Sequence, residues 1–408
     1  MRIALILPGF SAHAHDWAIP ALQHLVTKLA QQHDVHIFSL RYPPKGIYHF
    51  QDLRQHLTPA LSYVGKGAKS PPDVGGIKGG RPRNGVSPHF NGLTHHAIGG
   101  QGYGLKSVAI IGQTVQAIYR QHQQTPFDLL HAFWADEPAL CAMFAQKLLK
   151  RSVMVNLGGW ELSHLPHIAY GAQRIFSRRL MIRYVLHHAH IIAAGSAYQL
   201  NLARQHGVSP HKLHFAPLGV DTNHFMPPLQ KLSLTQPALI QIASLIPVKN
   251  HTLLLQTLHL VKAVIPHIHL HLVGTGPLEK ELKSLAQQLG ITENITWHAQ
   301  VPHLELPALY HQAHLYVQSS WHESQGMAVL EAMACGLPVI GTPVGLMPEV
   351  ACLPPTFIAT QLAAQIIAIF SNPHFYQTAT QQARQIVADK FSLPATTNTF
   401  ETLYQSGV

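Results

Sequence analysis

His322-Glu323-Ser324-Gln325-Gly326-Met327-Ala328-Val329-Leu330-Glu331, running on into Ala332-Met333-Ala334-Cys335-Gly336-Leu337-Pro338, is the stretch on which the reading of this chain turns. Two carboxylates eight residues apart bracket a glycine and the start of an apolar run. If one helix carried both, a rise of about 1.5 Å per residue would set them ~12 Å apart. They could not then share a proton or a metal, but they could hold the two ends of an elongated ligand. Between them the sequence expects a helix N-terminus, whose free N–H groups suit a phosphate.

Outward from this segment, short apolar runs alternate with longer amphipathic ones, the pattern of parallel α/β architecture. In the first half the strand candidates are Ile3–Leu7, Val35–Leu40, Leu129–Ala132, Val153–Leu157, His190–Ala194 and Leu213–Pro217. In the second they are Ala238–Ala243, Ile268–Val273, Ile295–His298, Leu315–Gln318 and Val339–Gly341. Pro227-Pro228 between the two series reads as a hinge. Two Rossmann-like, doubly wound parallel sheets in tandem follow, with ligands expected at the C-terminal ends of the strands. The expected boundaries are 1–227 for a first domain, 232–385 for a second and 386–408 for a closing helical segment. Residues 65–104 break the pattern: they hold 12 of the 29 glycines and four prolines, so the sequence predicts a long flexible insertion.

Composition narrows the functional classes. The 408 residues are 47% hydrophobic, enough for two cores. No run approaches the roughly 18 apolar residues that span a bilayer. Met1–Gly9 reads as a buried first strand and turn rather than a signal peptide, and three cysteines without a CxxC pair suit a reducing cytosol. The 32 histidines are scattered, with no HExxH and no Cys/His spacing of a zinc site, so no metal is expected. Residues 1–231 carry 22 Lys+Arg against 9 Asp+Glu, whereas 232–408 carry 6 against 9. The basic first half should therefore meet something anionic. Nucleic acid is set aside, because aromatic interleaving and any recognised motif are missing. An anionic membrane surface stays open. Arg174, Arg178, Arg179 and Arg183 fall at near-helical spacing among Ile175, Phe176, Leu180, Met181 and Ile182, and a basic amphipathic helix can lie on anionic lipid.

Single site candidates are weak alone. Lys249 stands between a strand and a helix, where a cation would meet a diphosphate. Gly274-Thr275-Gly276-Pro277 follows a strand and would admit a ligand or a neighbouring loop. The Pro8-Gly9-Phe10-Ser11 turn lacks dinucleotide-fold spacing.

In order, however, the Gly9 turn, Phe127-Asp128-Leu129-Leu130-His131-Ala132, Ser196, Pro217-Leu218-Gly219-Val220-Asp221, Ser244-Leu245…Lys249, Gly274…Gly276 and Glu323…Glu331 resemble the retaining glycosyltransferases of family 4, which have the GT-B fold. Glu323 to Pro338 looks like that family's E-x7-E signature. The resemblance implies that Glu323 contacts hydroxyls of the donor sugar and Glu331 the nucleotide ribose. Backbone N–H groups of Ser324, Gln325, Gly326 and Met327 would hold the diphosphate, with Lys249 adding charge. Ser244, Gly274, Gly276 and Val301 complete the implied donor site. The resemblance also implies that 232–385 binds the nucleotide sugar, that 1–227 binds the acceptor, and that 386–408 is a helix returning to the first domain. Gly9, Phe10, His131, Gly158, Gly159 and Glu161 form the implied acceptor and diphosphate loops. It further implies retention by front-face attack, no metal, no cofactor beyond a nucleotide-diphosphate sugar (UDP favoured over GDP), and a saccharide or lipid-linked saccharide acceptor of the cell envelope. A cytoplasmic protein, peripheral at the inner face of the membrane, would fit such work. Three departures stand out: Ser244 replaces a second diphosphate cation, Gly158 a histidine, and Ser324-Gln325 the usual glycine and aromatic. The competing readings are a nucleotide-sugar hydrolase or epimerase on the same fold, and a catalytically lapsed nucleotide-sugar-binding protein.

Overall fold

The computed structural model describes residues 1–10, 20–41, 46–49, 93–99, 105–230 and 233–407. The first sheet is built from β1 (Arg2–Leu7), β2 (Asp34–Ser39), β3 (Gly46–His49), β4 (Leu93–Ala97), β5 (Leu129–Phe133), β6 (Ser152–Asn156), β7 (Ile191–Ala194) and β8 (Leu213–Phe215). Their order is β3-β4-β2-β1-β5-β6-β7-β8. All pairings are parallel except that of β3 with β4. The second sheet comprises β9 (Ala238–Ile242), β10 (His269–Val273), β11 (Ile295–His298), β12 (Leu315–Gln318) and β13 (Val339–Gly341), in the all-parallel order β11-β10-β9-β12-β13. Continuous apolar strands such as Ile3–Leu7 form these sheets because helices cover both faces. Burying every residue of such a strand leaves no polar side to present to water, and Ile3–Leu7 is indeed wholly buried.

The strand order reverses beside β1 in the first sheet and beside β9 in the second. At such switch points the loops diverge and open a crevice. The loops after β5 and β6 face those after β9 and β12, and a cavity lies between them.

The insertion expected over 65–104 needs correction at one end. Leu93–Ala97 is strand β4, seated parallel to β2. Its two histidines disguise it as polar, yet both are buried. His95 Nε2 lies 2.6 Å from Ser39 Oγ and His96 Nε2 3.0 Å from His36 Nδ1, so each ring finds a polar partner inside. Residues 65–92 and 100–104 lie outside the described residues.

The last helix, Leu393–Ser406, packs against the helix Pro20–Leu29, with Phe400, Leu403 and Tyr404 in the core beneath β1 and β2. A bridge between Val220 and Ser392 brings the two crossings of the chain side by side. Among the described residues no helix is long and apolar enough to cross a membrane.

Candidate active site

The apolar run after Gly326 becomes the helix Met327–Ala334, nearly all of it buried. It begins abruptly because Gly326 has φ +97°, a conformation that costs a side-chain-bearing residue dearly. Only Glu331 of the two glutamates is on this helix. Glu323 precedes it in the loop from β12, which replaces the single-helix spacing with a bend around the helix N-terminus.

That bend points into a cavity of about 330 Å³, at the small end of the range of roughly 300–1,000 Å³ for ligand pockets. On one side stand Lys249, Glu323 and the turn Ser324–Met327; on the other, Trp134, Gly158 and Gly159. Lys249 Nζ donates to Glu323 Oε1 at 2.6 Å, and Ser320 Oγ donates to the same oxygen at 2.7 Å. Lys249 is held from behind, since Ser319 Oγ donates to its carbonyl at 2.9 Å. Gly345, with φ +59°, lies under Glu323: a Cβ there would sit 2.8 Å from the Glu323 Cβ.

Glu331 is clamped separately. Tyr310 OH donates to its Oε2 at 3.0 Å, and His303 Nε2 lies 2.9 Å from its Oε1. The Tyr310 phenol is wholly buried, and burial, followed by the Glu331 charge, drives its pKa far above the ordinary value. It is thereby fixed as a donor. His303 in turn packs edge-on against Phe225, their centroids 5.1 Å apart.

Several residues assigned from sequence have other work. Gln325 lines the cavity, but its amide bonds across the domains: Oε1 accepts from Leu218 N at 2.9 Å and Nε2 donates to Leu218 O at 2.6 Å. Gly195 makes room for it, because a Cβ there would come within 2.1 Å of Gln325 Oε1. The neighbours extend this seam. His322 Nε2 lies 2.9 Å from the Gly159 carbonyl oxygen, and Ser196 Oγ donates to the Ser324 carbonyl. Gly274 and Gly276 admit a neighbouring loop: a Cβ at either would strike Ala243 O or Leu245 O within 2.4 Å. Ser244 is exposed outside the cavity, and Val301 packs on the core of the second domain.

On the first domain the corrections are larger. His131 is fully buried with Nδ1 2.9 Å from Tyr404 OH, and burial lowers its pKa to about 3. It is a neutral core histidine joining β5 to the last helix, not an acceptor-site group. Phe10 is likewise in the core, edge-on to His95, and Gly9 before it does not line the cavity. Glu161 does not line the cavity either. It is buried beneath, where its Oε1 accepts from Gly158 N at 2.7 Å and Ala135 N at 3.0 Å. Burial raises its pKa, and beside it Asp136 is pushed up to about 7 by burial and by Glu161.

Trp134, Ser320, Tyr310 and Gly345 join the site without having been legible in the sequence. Nothing in the one-dimensional pattern marks Tyr310 or Ser320, which reach the glutamates only through the fold. Trp134 had a faint signal, a large aromatic directly after a strand end. Among the described residues no group of three His, Cys, Asp or Glu side chains is arranged to hold a metal ion.

Comparison with known proteins fits this geometry. The family model described as "Glycosyl transferases group 1" matches residues 227–386, and that described as "Glycosyl transferase 4-like domain" matches 18–219. The chain belongs to the family 4 type of glycosyltransferase, with the GT-B fold. This glycosyltransferase is 26% identical over 299 residues to the N-acetyl-alpha-D-glucosaminyl L-malate synthase of Bacillus anthracis, covering 69% of this chain and 75% of that protein. It is 28% identical to the GDP-mannose-dependent alpha-(1-6)-phosphatidylinositol monomannoside mannosyltransferase of Mycolicibacterium smegmatis, over 52% of this chain and 57% of that one. With other curated relatives the shared stretch spans about a third of their length. Among solved structures, the Anabaena protein HepE in complex with UDP and glucose superposes with a TM-score of 0.71 at 17% identity, covering all of both chains.

Proposed function

We propose that this glycosyltransferase moves a sugar from a UDP-sugar to a saccharide or lipid-linked saccharide acceptor of the cell envelope, with retention and without a metal. The observation that carries this is the Lys249–Glu323 pair at the mouth of the Met327–Ala334 helix, on the wall of the cavity between the domains. The donor diphosphate sits against the helix N-terminus, where free N–H groups and the positive end of the dipole favour anions. As the bond between the anomeric carbon and the diphosphate oxygen breaks, its electron pair passes to that oxygen. Lys249 and the helix amides stabilise the resulting charge, the work a divalent ion does elsewhere. The acceptor hydroxyl adds to the same face of the sugar and gives its proton to the departing phosphate oxygen, so no protein nucleophile is needed. Glu323 keeps lone pairs for a sugar hydroxyl. Glu331, already held by Tyr310 and His303, has spare lone pairs for the ribose. The UDP complex of the structural relative HepE supports the choice of base.

A cytoplasmic location at an anionic membrane face belongs to the same reading. The helix Phe176–His188 exposes Phe176 and Leu180 beside Arg179 and Arg183. Arg178 turns inward instead, to Glu137 at 3.2 Å. Flotation with phosphatidylglycerol but not phosphatidylcholine vesicles is the expected result.

The direct test is a thermal-shift screen with UDP, GDP and ADP. UDP should raise the melting temperature, since a ligand at 100 times its Kd adds ~2.7 kcal/mol to stability. If all three leave it unmoved, the reading fails. Bare hydrolysis or C2 epimerisation of UDP-sugar without acceptor would favour the hydrolase or epimerase alternative. A protein that binds UDP but consumes no UDP-sugar would be the lapsed form.

A further inference from the structure

The cavity wall opposite Glu323 has a feature that the donor reading leaves unused. Trp134, at the C-terminal end of β5, has φ +73°, a left-handed conformation that a bulky side chain rarely adopts. Its neighbours hold it there. Trp134 N donates to Asn156 O at 2.8 Å, and the following amide, Ala135 N, donates to Glu161 Oε1 at 3.0 Å. Glu161 binds Gly158 N with the same oxygen, so one buried carboxylate fixes both the tryptophan turn and the loop beneath it.

The indole then lies on Gly158. A Cβ at that position would stand 1.9 Å from the indole Nε1 and 2.0 Å from its Cδ1, so no side chain fits there while the ring is in place. Gly159, at φ +123°, brings the same loop against Ser324, where a Cβ would come within 2.6 Å of the serine Cβ. Two consecutive glycines thus draw the first domain close enough for the indole to line the cavity with Lys249 and Glu323. The ring is half-buried, and among the described residues its N–H has no hydrogen-bond partner.

We propose that Trp134 is the platform for the acceptor: a sugar ring lies its C–H face on the indole and accepts a hydrogen bond from the indole N–H with one hydroxyl. An indole joins a broad apolar face to one polar edge. A pyranose offers the complement, an axial C–H surface rimmed by hydroxyls. A flexible polyol or a peptide hydroxyl would leave the flat face unfilled. The inference rests on the donor reading, since the acceptor hydroxyl must meet the sugar held by Glu323, and it narrows the acceptor class to a ring sugar.

Saturation-transfer NMR on the full chain saturated with UDP tests it, using glucose, mannose and N-acetylglucosamine as probes. Wild type should pass saturation to the ring protons of at least one sugar. Trp134→Ala should lose at least about fivefold of that signal while its Kd for UDP stays within about twofold. Gly158→Ala, which pushes the indole aside, should fall with it. Trp134→Phe, which keeps a ring but removes the N–H, should fall in between. An unchanged sugar signal in Trp134→Ala, or no sugar signal in a wild type that binds UDP, overturns the proposal and leaves the donor reading standing. A wild type that fails to bind UDP overturns the donor reading and this inference with it. Should Trp134→Ala itself lose UDP binding, Gly158→Ala and Trp134→Phe decide: unchanged signals in both overturn the platform, and a fall in both supports it.

Discussion

The two lips of the cavity are built in opposite ways. The second domain's lip is nearly one segment, Ser320 to Glu331, whose glutamates are satisfied by Lys249, Ser320, Tyr310 and His303. The first domain's lip is gathered from the ends of β5 and β6 and from the loop after β7, and its key carboxylate, Glu161, is buried behind it rather than lining the cavity. A contiguous lip keeps its chemistry in the local sequence. A gathered lip keeps it in glycines and backbone turns, so its residue types can change while its shape persists.

The sharpest way to break this contrast is Glu323→Ala. It removes the proposed sugar contact and leaves Lys249 without its acid, so transfer should fall ~10²–10³-fold, the scale for losing one group aimed at the transition state. UDP affinity measured by calorimetry should stay near wild type. A comparable fall in UDP affinity would put Glu323 on the nucleotide instead.

Next in size comes the seam between the lips. Gln325→Ala removes both bonds to Leu218 and should cost about 1–3 kcal/mol, since buried polar groups are left unpaired. Calorimetry should then resolve two unfolding transitions, one per domain, where wild type gives one. A single transition at the wild-type temperature would show that the lips are joined elsewhere.

Tyr310→Phe probes the contiguous lip from behind. Losing one buried hydroxyl donor should cost about 1 kcal/mol of nucleotide binding, roughly fivefold in Kd. Binding that is unaltered would mean that His303 alone orients Glu331.

The smallest contrast is with pH. Thirteen described histidines, among them His95, His251 and His271 at about 4, have pKa values lowered chiefly by burial. Between pH 6.5 and about 4 the unfolded chain binds more protons than the folded one. Stability is therefore full above pH 6.5 and declines as pH falls through that window. Asp136, Glu161 and Glu349, with raised pKa values, act in the opposite sense, but they are three groups against thirteen. Chemical denaturation at pH 5 and pH 7 should show lower stability at pH 5. The reverse would mean that these three carboxyl groups dominate.

Much of this molecule could be read along the chain. Strands in parallel sheets are continuous apolar runs, so eleven of them stood out, most within a residue or two of their observed ends. The segment from Glu323 to Glu331 stood out for the same local reason: its glycine, helix start and glutamates are neighbours in sequence. β4 was hidden because His95 and His96 look polar, and only their pairing with Ser39 and His36 makes them core residues. The same histidine composition misled at His131, which looked like a site residue and is buried against Tyr404, 273 positions away. Trp134 and Glu161 were invisible as a pair, since nothing local reveals that one carboxylate holds two separate turns.

By itself, then, the amino-acid sequence determined the two α/β domains and the pairing of Glu323 with Glu331 around a helix start, because periodicity and local spacing act over a few residues. Only the tertiary structure decided that Gln325 ties the domains together, that Gly274 and Gly276 serve a neighbouring loop, and that the place opposite Glu323 belongs to Trp134. Those outcomes depend on what approaches from distant parts of the chain, and a side chain's role there is set by the space its new neighbours leave.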